Sequence, residues 1–168
     1  MIDIRSDTVT KPTPAMREAM ARAEVGDDQR EGDPTTRRLE ARAAELLGLD
    51  AGLYVPSGTM ANLIAVYVHS EERNGAVFET NSHITTVEAT GLAKLTPARP
   101  YLVKGEYGVM RSEDVEAALD NAASDGVPVG ALFLENTHNN AGATVIPGAD
   151  MKRLIGLAKS KGLAVHVD

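Results

Sequence analysis

The chain has 168 residues and a formal net charge of −7, with a pI near 5.1. That length suits one domain with a sizeable core, and the acidic balance argues against a nucleic-acid partner, because phosphate neutralisation needs a basic patch. There is no cysteine, which removes disulfides, thiolate metal sites and a cysteine nucleophile, and the polar start MIDIRSDTVTKP with no apolar run of membrane-span length leads to the expectation of a cytoplasmic protein away from any membrane.

Residues 1–13 read as an extended arm. Thr13 is placed to cap a helix with Pro14 at its first position, running to about Ala23. The polar stretch 25–34, VGDDQREGDP, is a solvated loop without the ligand alternation of a calcium loop. Thr35 or Thr36 then opens a second helix, ended near Leu47 by Gly48. Ala51 to Val55 is short and mostly apolar, as a buried strand is, and Pro56 stops it. Met60 to Val68 is helix-compatible. Strands are expected at 76–79, 100–103, 131–135 and 163–168. Helices are expected from His83 to about Lys94, from a cap at Ser112-Glu113-Asp114 with the acids in the first turn, and from Gly148 to Lys161. Strands alternating with helices of this length predict an α/β fold with a mainly parallel sheet and flanking helices.

In such sheets ligands gather at the carboxyl ends of the strands. Polar clusters fall there: Ser57-Gly58-Thr59, Asn81-Ser82-His83, Glu135 to Asn139, and Asp168. Ser57, Gly58 and Thr59 sit at a helix start, where unpaired N–H groups and two hydroxyls suit a phosphate; an ordinary helix cap explains the same residues. In Ala164-Val165-His166-Val167-Asp168, alternation puts His166 and Asp168 on one face. Asp168 either begins a loop or pairs with a cationic heterocycle nitrogen. Phosphate on a helix N-terminus with a ring nitrogen on an Asp is how pyridoxal phosphate is held. His83 is the candidate catalytic residue that would cover the ring face, against the alternative of a surface histidine. The scattered His83, His138 and His166 lack zinc spacing, so no metal is expected.

Taken in order, Arg5-Ser6-Asp7-Thr8-Val9-Thr10, Val25-Gly26-Asp27-Asp28, Asp33-Pro34-Thr35, Pro56-Ser57-Gly58-Thr59-Met60-Ala61-Asn62, Ser82-His83, Glu135-Asn136-Thr137-His138-Asn139 and His166-Val167-Asp168 resemble the low-specificity L-threonine aldolases. These belong to the aromatic amino acid β-eliminating lyase/threonine aldolase group, of the aspartate-aminotransferase-like fold. The resemblance spans the whole chain. It implies an N-terminal arm with helices over 1–50 and an incomplete pyridoxal-phosphate-binding large domain over 51–168. It implies that Ser57, Gly58 and Thr59 hold the cofactor phosphate, that His83 stacks on the pyridine ring, that Asp168 pairs with its nitrogen, and that Ser6 helps hold the carboxylate of an amino-acid substrate. The implied reaction is retro-aldol cleavage of a β-hydroxy-α-amino acid, such as threonine or allo-threonine, to glycine and an aldehyde, in a homo-oligomer built as a dimer of dimers.

The sequence departs from the family pattern in places. The usual VGDDVYGEDPT reads VGDDQREGDPT, so Arg30 replaces a Tyr. Thr86-Val87 stand where an aromatic pair is usual before Glu88, and residues 124–129 lack the family's histidine near the substrate hydroxyl. The cofactor half of the pattern is intact, and the half that contacts the substrate side chain is altered. The family's Gly-Ala-Arg after this Asp, and its Schiff-base lysine some thirty residues further on, have no counterpart in the chain. The expectation is therefore the N-terminal portion of a longer lyase, inactive alone, in which the strand at 51–55 lacks its neighbour while those near 77, 101, 133 and 165 still form a four-strand core. A β-eliminating or other pyridoxal-phosphate-dependent amino-acid lyase, and a truncated non-catalytic paralogue that binds phosphate ligands or a full-length subunit, are the alternatives.

Overall fold

The structure is a computed structural model that describes residues 2, 3 and 6–168. It divides into two compact units, one ending at Tyr54 and one from Val55 to Asp168. Among the described residues no helix is long and apolar enough to cross a membrane.

In the first unit a 3-10 turn at Asp7–Val9 interrupts the expected extended arm, and Arg5 of the arm motif lies outside the described residues. Helix α1, Pro14–Ala21, starts as expected: the Thr13 side chain accepts the Met16 N–H, and Pro14 sits where its missing N–H costs nothing. Helix α2 spans Pro34–Leu47 and ends at Gly48, whose φ of 64° is the left-handed conformation of a helix stop. Its cap is Asp33 rather than Thr35 or Thr36. The Asp33 carboxylate receives the Thr36 N–H at 2.7 Å and the Gly26 N–H at 3.0 Å. Those backbone bonds, Thr36 foremost, hold the Asp33 pKa below the usual carboxylate value. The acidic loop thus closes on itself: Asp27 and Asp28 also accept backbone N–H groups, from Gln29 and Asp33.

The second unit holds helices α3 (Gly58–Ser70), α4 (His83–Thr86), α5 (Ala89–Leu95), α6 (Ser112–Ser124) and α7 (Gly148–Ser160), and strands β1 (Gly75–Glu79), β2 (Arg99–Val103), β3 (Val129–Leu134) and β4 (Ala164–Val167). The strands form one sheet in the order β2-β1-β3-β4, with every pairing parallel. These are the four strands expected near 77, 101, 133 and 165.

Alternation along each strand divides the core into two faces. Val77, Val103, Leu132 and Leu134 pack with Val115 and Ala118 of α6 and Leu154 and Ala158 of α7. Ala76, Phe78, Ala131 and Phe133 face Val66 of α3, Ile84 of α4 and Leu92 of α5. The Phe78 and Phe133 rings stack with centroids 4.6 Å apart. Each such fully buried aromatic contributes roughly 1.5–3 kcal/mol. Gly130 lets α3 approach β3 closely, because a Cβ there would overlap the His69 carbonyl oxygen.

Two expected elements of the chain take a different form. Residues 51–55 form no strand. A strand needs a neighbour for its N–H and C=O groups, and here the Tyr54 N–H goes instead to the Glu40 carboxylate, at 2.8 Å. The single helix expected from His83 to Lys94 is two, broken at Val87-Glu88, because Glu88 turns inward to a buried position. Ser112 opens α6 as its first residue rather than as its cap, with Glu113 and Asp114 in the first turn as expected.

Candidate active site

Because the strands are parallel, their carboxyl ends lie at one edge of the sheet. His83 follows β1 by four residues, Glu135 directly follows β3, and Asp168 directly follows β4. Helix α3 runs back toward the start of β1, which brings its first turn to that same edge. Two hydrogen bonds support this: just past that first turn, Asn62 Oδ1 pairs with His166 Nε2 of β4 at 2.9 Å, and Asn62 Nδ2 donates to Glu88 Oε1 at 3.4 Å. The structure therefore brings Ser57, Gly58 and Thr59 to the edge that carries His83 and Asp168. Ser6 belongs to the first unit, where its Oγ accepts from the backbone and the side chain of Thr8.

At the start of α3, Ser57 Oγ accepts the Met60 N–H at 3.2 Å, and the Ser57 carbonyl accepts from Ala61. The Gly58 and Thr59 N–H groups precede the first intrahelical bonds. Ser57, Gly58 and Thr59 are all exposed, and a Cβ added at Gly58 meets nothing within 4 Å. Two open N–H groups, two hydroxyls and the positive end of a 13-residue helix suit a phosphate dianion. Asp168 uses its backbone on both sides: its N–H donates to the Leu134 carbonyl at 2.9 Å, and its carbonyl accepts from Asn136 at 2.8 Å. Its carboxylate remains exposed at the end of β4, where it can pair with a cation.

His83 is held at its backbone and at its ring. Its N–H donates to Glu135 Oε2 at 2.6 Å, and its Nδ1 lies 2.8 Å from Glu88 Oε1. The ring is about one-third exposed while Glu88 is buried. His166 lies between Asn62 and the Phe133 ring, with centroids 5.2 Å apart. Burial pushes its pKa below the ordinary histidine value, against the opposing pull of Asp168.

A second buried group shapes the edge. Glu79 Oε1 accepts the Gly105 N–H at 3.0 Å, and its Oε2 accepts the Asn81 N–H at 2.5 Å and faces His138 Nε2 at 3.0 Å. Glu135 Oε1 accepts the Asn139 N–H at 2.7 Å. Two carboxylates at the ends of neighbouring strands thus pin the loops after β1, β2 and β3. Gly108, with φ of 82°, lies against the His138 ring, where a Cβ would collide with the imidazole. Glu135 to Asn139 stood out in the sequence as a cluster, whereas Asn62 and Glu88 appeared there only as parts of the family pattern and Glu79 only as the end of an expected strand. For Glu79 the signal was present: AVFE and ALFLE are both apolar runs ending in Glu. A cavity of about 550 Å³, bounded by Tyr107, Arg111, Thr144, Pro147 and Arg153, contains none of the site residues.

The chain matches the family model described as "Beta-eliminating lyase" over residues 3–168. It is 44% identical to low-specificity L-threonine aldolase 1 of Arabidopsis thaliana, over 99% of this chain and 48% of that protein. It is 38% identical to the low specificity L-threonine aldolase of Escherichia coli K12, over 100% of this chain and 50% of that one. The chain spans about half the length of the curated relatives it matches. Among solved structures, the threonine aldolase of Leishmania major superposes with a TM-score of 0.76 at 22% identity, over 95% of this chain and 47% of that one. At that identity the likeness is one of fold, and it is the fold expected from the resemblance.

Proposed function

Because the chain belongs to the beta-eliminating lyase family, we propose that it carries the cofactor-binding part of a pyridoxal-phosphate-dependent lyase of threonine aldolase type. The observation that carries this reading is the convergence, at one sheet edge, of an open helix start, a braced imidazole and an exposed strand-end carboxylate. Each suits a different part of the cofactor. Ser57, Gly58 and Thr59 take the phosphate through two hydroxyls and two N–H groups. His83 covers the ring. Asp168 pairs with the ring nitrogen and keeps it protonated. When bound, pyridoxal phosphate supplies an electron sink for the charge left at Cα as the Cα–Cβ bond breaks. Ser6 is proposed to help hold the substrate carboxylate. A cytoplasmic homo-oligomer, a dimer of dimers, belongs to the same proposal.

The proposed substrate is a β-hydroxy-α-amino acid of the threonine or allo-threonine kind. Its hydroxyl proton leaves, Cα–Cβ cleaves and Cα regains a proton, which gives glycine and an aldehyde. Elimination is the second reading, favoured by Thr86-Val87 and by the histidine-free segment 124–129 on the side-chain half of the motif. The test is product analysis with the intact protein, pyridoxal phosphate and L-threonine or L-allo-threonine. Glycine and acetaldehyde in equal amounts support aldol cleavage, ammonia with a 2-oxo acid supports elimination, and neither supports a non-catalytic paralogue. The six lysines, Lys11, Lys94, Lys104, Lys152, Lys159 and Lys161, are all exposed, and none is among the site residues. The 168-residue chain by itself is accordingly proposed to hold the cofactor without a covalent link and to be inactive. Borohydride treatment with the cofactor should leave its mass unchanged.

A further inference from the structure

The proposed cofactor contacts stand on three separate elements: the start of α3, His83 at the start of α4, and the end of β4. One buried pair of side chains touches all three. We propose that Glu88 and Asn62 are positioning residues that set the tautomers of His83 and His166 and lock these elements together. The consequence for the cofactor rests on the lyase reading; the tautomers do not.

The argument is one of donors and acceptors. Glu88 Oε1 meets His83 Nδ1 at 2.8 Å and Asn62 Nδ2 at 3.4 Å. A carboxylate oxygen only accepts, so both partners donate. Neutral His83 therefore carries its proton on Nδ1 and leaves Nε2 as a bare lone pair on a ring about one-third exposed. Asn62 is buried and has spent its NH2 on Glu88, so its Oδ1 is the acceptor, and His166 Nε2, 2.9 Å away, is the donor. A single oxygen thus fixes the protons of two imidazoles, and it fixes them in opposite senses. Free histidine in water prefers the Nε2–H form, so His83 is the one held against its intrinsic preference.

The remaining atoms of Glu88 support a role beyond packing. Among the described residues, Glu88 Oε2 and His138 Nδ1 are the buried side-chain atoms without a hydrogen-bond partner. A residue retained for packing alone would not bring an unpaired oxygen into the interior. Asn62 closes the PSGTMAN motif, so the segment offered to the phosphate also orients the imidazole offered to the ring. With Nε2 bare, His83 presents an acceptor to the site rather than a donor.

The experiment is nitrogen-15 NMR of the histidine side chains of the full chain without cofactor, at mildly alkaline pH where free histidine is neutral. It compares the wild type with Glu88→Gln, Glu88→Leu and Asn62→Leu. In the wild type His83 shows a pyrrole-type Nδ1 and a pyridine-type Nε2, and His166 shows the reverse. His138 also shows the reverse, because its Nε2 faces Glu79, and serves as the internal reference. Glu88→Gln keeps the His83 form, since the amide oxygen still accepts. Glu88→Leu loses it, and His83 shifts to Nε2–H while His138 is unchanged. Asn62→Leu releases His166 and leaves His83 as it was. A wild-type His83 protonated at Nε2, or a His83 signal unmoved by Glu88→Leu, overturns the proposal; if Glu88→Leu does not fold, the wild-type spectrum and Glu88→Gln still decide. The predicted tautomers in a chain that fails to bind pyridoxal phosphate would overturn the lyase reading and leave this inference standing.

Discussion

Glu135 allows a quantitative test of how the edge of the sheet is held. Its two oxygens accept the backbone N–H groups of His83 and Asn139 at 2.6 and 2.7 Å, from the segments that follow β1 and β3, and the residue itself is buried. Hydrogen bonds to a charged acceptor contribute roughly 1.5–3 kcal/mol each. Both loops reach the surface, so after Glu135→Ala the freed N–H groups regain some water and the lower end of that range applies, giving a loss of about 3 kcal/mol. Glu135→Gln keeps one acceptor and turns an NH2 toward the other N–H, for a loss of about 1.5 kcal/mol. Against a domain stability of about 5–15 kcal/mol, both are resolvable by urea unfolding, with the midpoint moving and the m-value unchanged. Amide exchange at His83 and Asn139 should accelerate in both variants, while the amides in the middle of β1 stay protected. A loss below about 0.5 kcal/mol for Glu135→Ala, or no local change in exchange, would refute the view that this carboxylate pins the His83 loop.

Three further outcomes are expected. Gly108→Ala combines a left-handed backbone with a collision against the buried His138 ring, and should cost about 2–4 kcal/mol in urea unfolding, whereas Gly156→Ala, where a Cβ meets nothing, should be neutral or slightly stabilising. His166 has its pKa lowered by burial, so the unfolded chain takes up a proton that the folded one refuses. Its contribution is fully present above the ordinary histidine value of about 6.5 and is lost as pH falls from there through the folded-state value. His166→Gln should flatten that part of the stability–pH curve relative to the wild type. Asp33 shows the same sense lower down: its pKa is depressed by the Thr36 and Gly26 bonds, so the stabilisation is present above the usual Asp range and lost as pH falls through the folded value, and Asp33→Asn should reduce that acid-side slope.

The parallel sheet was legible because buried strands flanked by helices leave a strong apolar signal. The same signal misled at residues 51–55, where apolar character shows what can be buried but not whether a strand lies alongside to pair with. Leu53 and Tyr54 end up largely exposed, and the Tyr54 N–H turns to a carboxylate. The break between α4 and α5 was not legible for a related reason: Glu88 is an ordinary residue in a helical pattern until the neighbouring His83 and the distant, buried Asn62 give it donors. For the site, Ser57, His83 and Asp168 could be singled out because strand ends and helix starts can be located from pattern alone. Of the residues behind them, Asn62 pairs with His166 and Glu88, and Glu79 with Gly105 and His138, over tens of positions in sequence, which a linear reading does not order. Ser6 belongs to the first unit, so its proposed role rests on the motif.

The central claim, that one edge of this sheet holds pyridoxal phosphate by its phosphate and its ring nitrogen, is tested most directly by titrating the cofactor's absorbance with the chain. Pyridoxal phosphate is compared with pyridoxal, and the wild type with Asp168→Ala. The account predicts saturable binding of pyridoxal phosphate that weakens at least about tenfold, some 1.4 kcal/mol, both when the phosphate is absent and when the carboxylate is removed, with the variant's unfolding curve unchanged. Equal binding of the two ligands, or an Asp168→Ala chain that binds as the wild type does, would contradict it.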